Sequence, residues 1–189
     1  MKLRPIILKP YMVEQVKLGV KTQHRHVLKP QPPQLSFIPP DKRIDPQEDP
    51  YGGKFGSVSP LHTFSISFLR DHIWRCPYGV IGDRLWVKEN WAVLKDDLGN
   101  GKLVYEADKQ FVPTNWRRAF DMLPHASRMT LEIEAVRVER LQKISAQDAK
   151  AEGIADDIPG LWNEHYATKP TFKWRRDPHV WVVKFKVKE

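Results

Sequence analysis

The stretch Met129–Leu141 constrains this chain more than any other. Met129, Leu131 and Ile133 alternate with Thr130, Glu132 and Glu134; the phase then slips at Ala135-Val136, and Val138 carries the inward face. A period of two marks a strand with one buried face. A slip within it marks a β-bulge, the device that bends a sheet. The chain must therefore build a strongly curved sheet around this strand.

Other segments supply its neighbours. Leu3–Leu8 reads as a first strand. Pro10 opens a helix through Tyr11–Leu18, since proline at the first helical position gives up a hydrogen bond the helix does not use, and Gly19 ends it. Lys21–Leu28 is polar and β-tolerant. Gly82-Asp83 turns the chain into Arg84–Trp91, with Leu85 and Val87 on one face and Trp86 and Lys88 on the other. Gly99-Asn100-Gly101 is a hairpin signal leading into Leu103–Glu106. Ser145 caps a helix that Gly153 terminates, and Leu161–Tyr166 adds a helical turn. His179–Lys188 closes the chain as a strand, with Trp181, Val183, Phe185 and Val187 sharing a face.

Between these elements lies a segment of different composition. Residues 30–75 hold many of the chain's 16 prolines and read as a long irregular insertion, with a short strand at His62–Phe68. The expectation is one α+β domain over residues 1–189 that carries this insertion.

The chain carries 31 basic and 23 acidic residues, a net charge of +8. Such a balance either attracts a polyanion or simply keeps the surface soluble. Cys76 is the lone cysteine, which excludes an internal disulfide and fits a reducing compartment. No apolar run reaches a membrane span, and the N-terminal apolar run, cut by Lys9-Pro10, is too short for a signal peptide. The expectation is a cytoplasmic protein without a membrane partner.

Several segments together resemble a known family. Gly19-Val20-Lys21-Thr22-Gln23-His24-Arg25-His26-Val27 is similar to the G-x-K-T-x-T-x-R opening of ASCH domains, relatives of the PUA fold. Gly82-Asp83-Arg84-Leu85-Trp86-Val87 resembles that family's G-D-x-L-x-V strand. Ala126–Ile133, Val138–Ser145, the Ala149-x-x-Glu152-Gly153-Ile154 run and Trp181–Phe185 resemble its larger phage and prophage members. The resemblance implies a PUA-like mixed β-barrel with two or more flanking helices, a cleft beside Lys21, and RNA or a modified nucleoside as partner, with DNA also open. Some small bacterial members are amidohydrolases of N4-acetylcytidine; others are RNA binders or ribonucleases.

In the amidohydrolases the working group is a lysine, a threonine three residues on, and a distant glutamate. The resemblance carries these roles to Lys21 and Glu152, but His24 stands where the threonine would be. An imidazole moves protons near neutrality yet cannot form the acyl-oxygen intermediate of a hydroxyl nucleophile. Thr22 supplies a nearby hydroxyl, and Arg25 offers a fork for a phosphate or carboxylate. Lys21, His24 and Glu152 are thus the candidate catalytic group, and hydrolysis and simple phosphate contact both stand open.

The binding candidates are more widely spread. Trp86 and Glu89 join the expected basic cleft, Trp86 alternatively serving a second packing surface. Arg128 contacts phosphate or, as the favoured alternative, pairs with Asp83. Lys173, Trp174 and Arg175 form a basic-aromatic cluster suited to a nucleic-acid backbone. Glu132, Glu134 and Glu139 read as a solvated face, and Cys76 as structural. His24 and His26 share a strand face, but no third ligand lies near them in sequence, so neither a metal nor a cofactor is expected.

Overall fold

A computed structural model of the chain describes residues 1–31, 74–95, 98–110, 113, 115–154 and 157–188. The strand expected at His62–Phe68, and nearly all of the proline-rich insertion, lie outside the described residues.

Seven strands and three α-helices make up the described structure: β1 (Leu3–Ile7), α1 (Pro10–Lys17), β2 (Gln23–Val27), β3 (Arg84–Lys88), β4 (Trp91–Lys95), β5 (Gly101–Tyr105), β6 (Thr130–Arg140), α2 (Ala146–Ala151), α3 (Ile158–His165) and β7 (His179–Lys188). The architecture is α+β. Five strands form one mixed sheet in the order β1-β3-β6-β7-β2, and β4 and β5 form a separate hairpin. β1 runs parallel to β3, and the remaining ladders are antiparallel.

The longest ladder joins β6 to β7, and its register shifts between Ile133 and Ala135. Glu134 is the extra residue, so the bulge falls at the slip in the hydrophobic alternation. One sheet face carries Ile6, Leu8, Leu85, Val87, Leu131, Ile133, Val183 and Phe185, which pack with Val13 and Val16 of α1 into the main core. A second cluster joins Val27, Val180 and Val182 to Leu141, Trp162 and Tyr166. Trp181 is buried with Leu28 and Trp74.

The expected barrel is instead an open sheet, with β1 and β2 as its edges. Two features keep the edges apart. Leu8 N–H donates to Lys88 C=O and Lys2 C=O accepts from Arg84 N–H, so even-numbered residues of β1 face β3 and Pro5 faces outward. Proline has no N–H to offer a further strand, the usual protection of a sheet edge. On the other side, α1 and α3 lie against β2.

Candidate active site

The site is built where β2 meets the start and end of α2. Ser145 caps α2 by accepting from the Asp148 N–H, and Gly153, at φ +72°, ends it. That left-handed residue brings the chain back over Lys21: a Cβ on Gly153 would sit 3.3 Å from Lys21 Cβ. Thr22 N–H donates to Ala151 C=O at 2.8 Å, which fixes the entry to β2 against the helix.

Lys21 is buried, and each of its ammonium protons has an acceptor. Nζ donates to Gln23 C=O at 2.6 Å, Glu152 C=O at 2.9 Å and Glu152 Oε2 at 3.0 Å. The other Glu152 oxygen, Oε1, accepts from Arg25 Nη1 at 2.8 Å. Arg25 also reaches Glu139 and, at 3.4 Å, Asp148. Arg137 bonds Glu139 at 3.1 Å, Asp148 at 3.0 Å and the Gln23 side chain at 3.0 Å. The result is a closed lattice in which Lys21, Arg25 and Arg137 balance Glu139, Asp148 and Glu152. Partial burial works against charge on Asp148. Hydrogen bonds from Gln23 and Ser145 and the charge of Arg137 nevertheless hold its carboxyl at about 2.

His24 points to the opposite sheet face, toward Tyr78. The Tyr78 hydroxyl lies 3.3 Å from His24 Nε2 and 3.5 Å from His26 Nδ1, with both rings edge-on to the phenol. A phenol carries one proton and can also accept, so it can donate to one imidazole while accepting from the other. Burial, then the charge of Lys21, pushes His24 well below the usual imidazole range. Burial, then Lys29, brings His26 to about 4. Both rings are neutral at pH 7.

His24, Arg25 and Glu152 line a cavity completed by Tyr11 and Met12 of α1 and by Ile158, Leu161, Trp162 and His165 of α3. It spans about 500 Å³ up to its open mouth and is narrow inside. It is a slot, mostly apolar, with polar groups at one side. Burial and the charge of Lys9 also lower the His165 pKa. A second, more open and more polar groove, of about 870 Å³ up to its mouth, runs past Thr22, Gln23, Arg137, Asp148 and Lys184.

The expected site residues separate into groups. Lys21, Arg25 and Glu152 bond one another, His24 meets Arg25 and Glu152 only on the wall of the slot, and Thr22 stands on the neighbouring groove. Trp86 and Glu89 do not join them, contrary to the single basic cleft expected. Trp86 packs with Trp91, Met122 and Ala126, as β3's second packing surface. Glu89 is buried under Arg128, which holds it through two 2.9 Å bonds. Arg128 also binds Asp108 at 2.6 Å and stacks on Tyr105. Its partners are therefore these groups and not Asp83. That carboxylate instead accepts from the N–H groups of Lys2 and Val80.

Lys173 donates to Asn163 C=O at 2.9 Å. Trp174 packs on the second core cluster, so of the expected basic-aromatic cluster Arg175 stands exposed, beside Arg176.

Glu139 belongs to the site rather than to a solvated face. It shares that face with Glu132, but α2 covers its end of the sheet, while Glu132 and Glu134 meet Lys184, Lys186 and Lys188 at the surface. Sequence reasoning did not single out Arg137, Gln23, Tyr11, Tyr78, Trp162 or His165 for the site. For Arg137 a signal existed: after the bulge at Glu134, odd-numbered residues of β6 take the face that even ones held before it. Among the described residues no three His, Cys, Asp or Glu side chains converge on a metal position, and no helix is long and apolar enough to cross a membrane.

No family model and no curated protein matches the chain. Among solved structures it is similar to a crystal structure of an ASCH domain from Lactobacillus crispatus. That match has 11% sequence identity and a TM-score of 0.41, and it covers 98% of this chain and 79% of that one.

Proposed function

We propose that this chain is an ASCH-type protein that acts on a modified nucleoside, hydrolysing an amide of the N4-acetylcytidine kind at the slot beside Lys21, His24 and Glu152. One observation carries the reading. Lys21 and Glu152, 131 residues apart, meet at 3.0 Å in a buried position, and His24 and Glu152 stand on the wall of one cavity. Buried ionisable groups gathered at an apolar pocket are the usual mark of a chemical site.

The charge balance favours a nucleoside over a phosphate backbone. Lys21 and Arg25 are already neutralised by Glu152, Glu139 and Asp148, so little of their charge is left to attract phosphate. A neutral, planar ligand suits the slot better. In the proposed step, water adds to the acyl carbon and gives a proton to the neutral His24 imidazole. The C–N bond then breaks, the same proton passes to the departing nitrogen, and cytidine and acetic acid leave, the acid losing its proton to water as acetate. Lys21, Arg25 and Glu152 hold the wall that orients the ligand.

A second reading, RNA binding without chemistry, has its own support: every proton of the Lys21 ammonium is engaged, so this lysine is a structural hub in the resting site. Incubation of the protein with N4-acetylcytidine and, separately, with labelled single-stranded RNA decides between them. Conversion to cytidine that is lost in His24→Ala supports the hydrolase. Intact substrates with RNA binding that falls steeply with salt support the binding module.

A further inference from the structure

Strand β2 has a free edge, and its hydrogen-bonding phase can be read from its ends. Phe185 N–H donates to Thr22 C=O, and Leu28 N–H donates to His179 C=O. Within the β2–β7 register, bonded and non-bonded pairs alternate along an antiparallel ladder. Thr22, His24, His26 and Leu28 therefore spend their backbone groups on β7, and Gln23, Arg25 and Val27 turn theirs outward.

At each flanking position, the backbone group nearer Arg25 is bonded. Gln23 C=O accepts from Lys21 Nζ at 2.6 Å, and Val27 N–H donates to the Tyr166 hydroxyl at 3.3 Å. Arg25 lies between them. Its N–H and C=O face outward side by side, and among the described residues nothing meets them. Arg25 is 6% exposed and lines the slot roofed by α1 and α3. Buried backbone donors and acceptors are nearly always paired, which makes this pair, on the wall of the slot, a place for a ligand to bond.

A peptide strand does not fit. Strand addition needs several successive outward residues, and the positions on both sides of Arg25 are already bonded by Lys21 and Tyr166. What fits is a flat group presenting one acceptor beside one donor, with apolar faces that lie against Met12, Leu161 and Trp162.

We infer that the Arg25 N–H and C=O read the Watson–Crick edge of a nucleobase, as two parallel hydrogen bonds at the floor of the slot. The inference deepens the nucleoside reading and rests on it. A base already paired in a duplex has no such edge to give, so the site takes free nucleosides or unpaired bases. Cytidine offers its N4–H and N3, and an N4-acyl group leaves both on the base.

The test uses the full chain labelled with ¹⁵N-arginine and follows the Arg25 amide resonance during titration with cytidine and with N4,N4-dimethylcytidine, which lacks the N4 donor. The expected result is a shift of the Arg25 amide with cytidine and affinity for the dimethyl compound lower by roughly tenfold, as for one lost hydrogen bond to a buried group. Cytidine binding that leaves the Arg25 amide unmoved, or equal affinity for both compounds, overturns the base-edge inference while leaving the nucleoside reading standing. Absence of binding by both nucleosides removes the two together.

Discussion

At the scale of single residues, the site is a set of charges that hold one another in place. Glu152 is the joint, since it alone contacts both Lys21 and Arg25. Glu152→Gln leaves buried Lys21 without a carboxylate, while Arg25 keeps Glu139 and Asp148, and breaking a buried pair from one side costs about 3–5 kcal/mol. Urea unfolding should show a loss of that order, whereas a loss below about 1 kcal/mol would mean that the pair behaves as a surface one.

The histidines set the acid limit. His26, with a folded pKa of about 4, binds its proton more weakly than in the unfolded chain, where a histidine titrates near about 6.5. Its contribution is therefore complete above that unfolded value and is lost as pH falls toward about 4; His24 shifts in the same direction. Thermal unfolding followed from pH 7 to 4 should show a falling midpoint, with a shallower slope in His26→Gln. A slope unchanged by that substitution would place the acid sensitivity elsewhere.

At the scale of elements, the turn after α2 decides whether the lysine and glutamate meet. Gly153→Ala places a side chain at φ +72° and within 3.3 Å of Lys21 Cβ. The backbone conformation alone costs about 1–2 kcal/mol, so the variant should lose at least that much in chemical denaturation. It should also lose function more than an equally destabilised variant remote from the site.

This is also the level at which the sequence was most readable. The bulge at Glu134, the helix from Pro10 and the cap at Ser145 each have a local cause and stand where local chemistry puts them; the hairpin also forms, with its second strand starting at Gly101 rather than Leu103. The pairing of Arg128 with Glu89 and Asp108 has no local cause. Neither does the meeting of Tyr78 with His24 and His26, 54 and 52 residues away in sequence. Lys21 and Glu152 were legible as a pair only through a family resemblance. The ion lattice around them depends on how α2 docks on the sheet, which no short window of sequence records.

At the scale of the whole molecule, the net charge of +8 and the chemistry of the slot part company. The excess cations sit on the surface, Arg175 and Arg176 among them, while the site itself is balanced. Two salt dependences follow. Nucleoside affinity should change little between about 50 and 200 mM salt, whereas any RNA binding through surface cations should fall by orders of magnitude. Calorimetric titration with cytidine at the two salt concentrations checks the first, and a steep loss there would mean that uncompensated charge lines the slot after all. The open sheet is part of the same design. A closed barrel would bond the outer edge of β2 to another strand, and the Arg25 backbone pair would no longer face a cavity.

Hydrolysis at the slot is tested most directly by acetate release from N4-acetylcytidine by the wild-type chain, measured beside His24→Ala of verified fold. Acetate and cytidine are expected in equal amounts from the wild type, and a rate lower by roughly two orders of magnitude or more in the variant, the usual weight of a positioned acid–base group. No acetate from the wild type, or equal rates from both proteins, would contradict this reading.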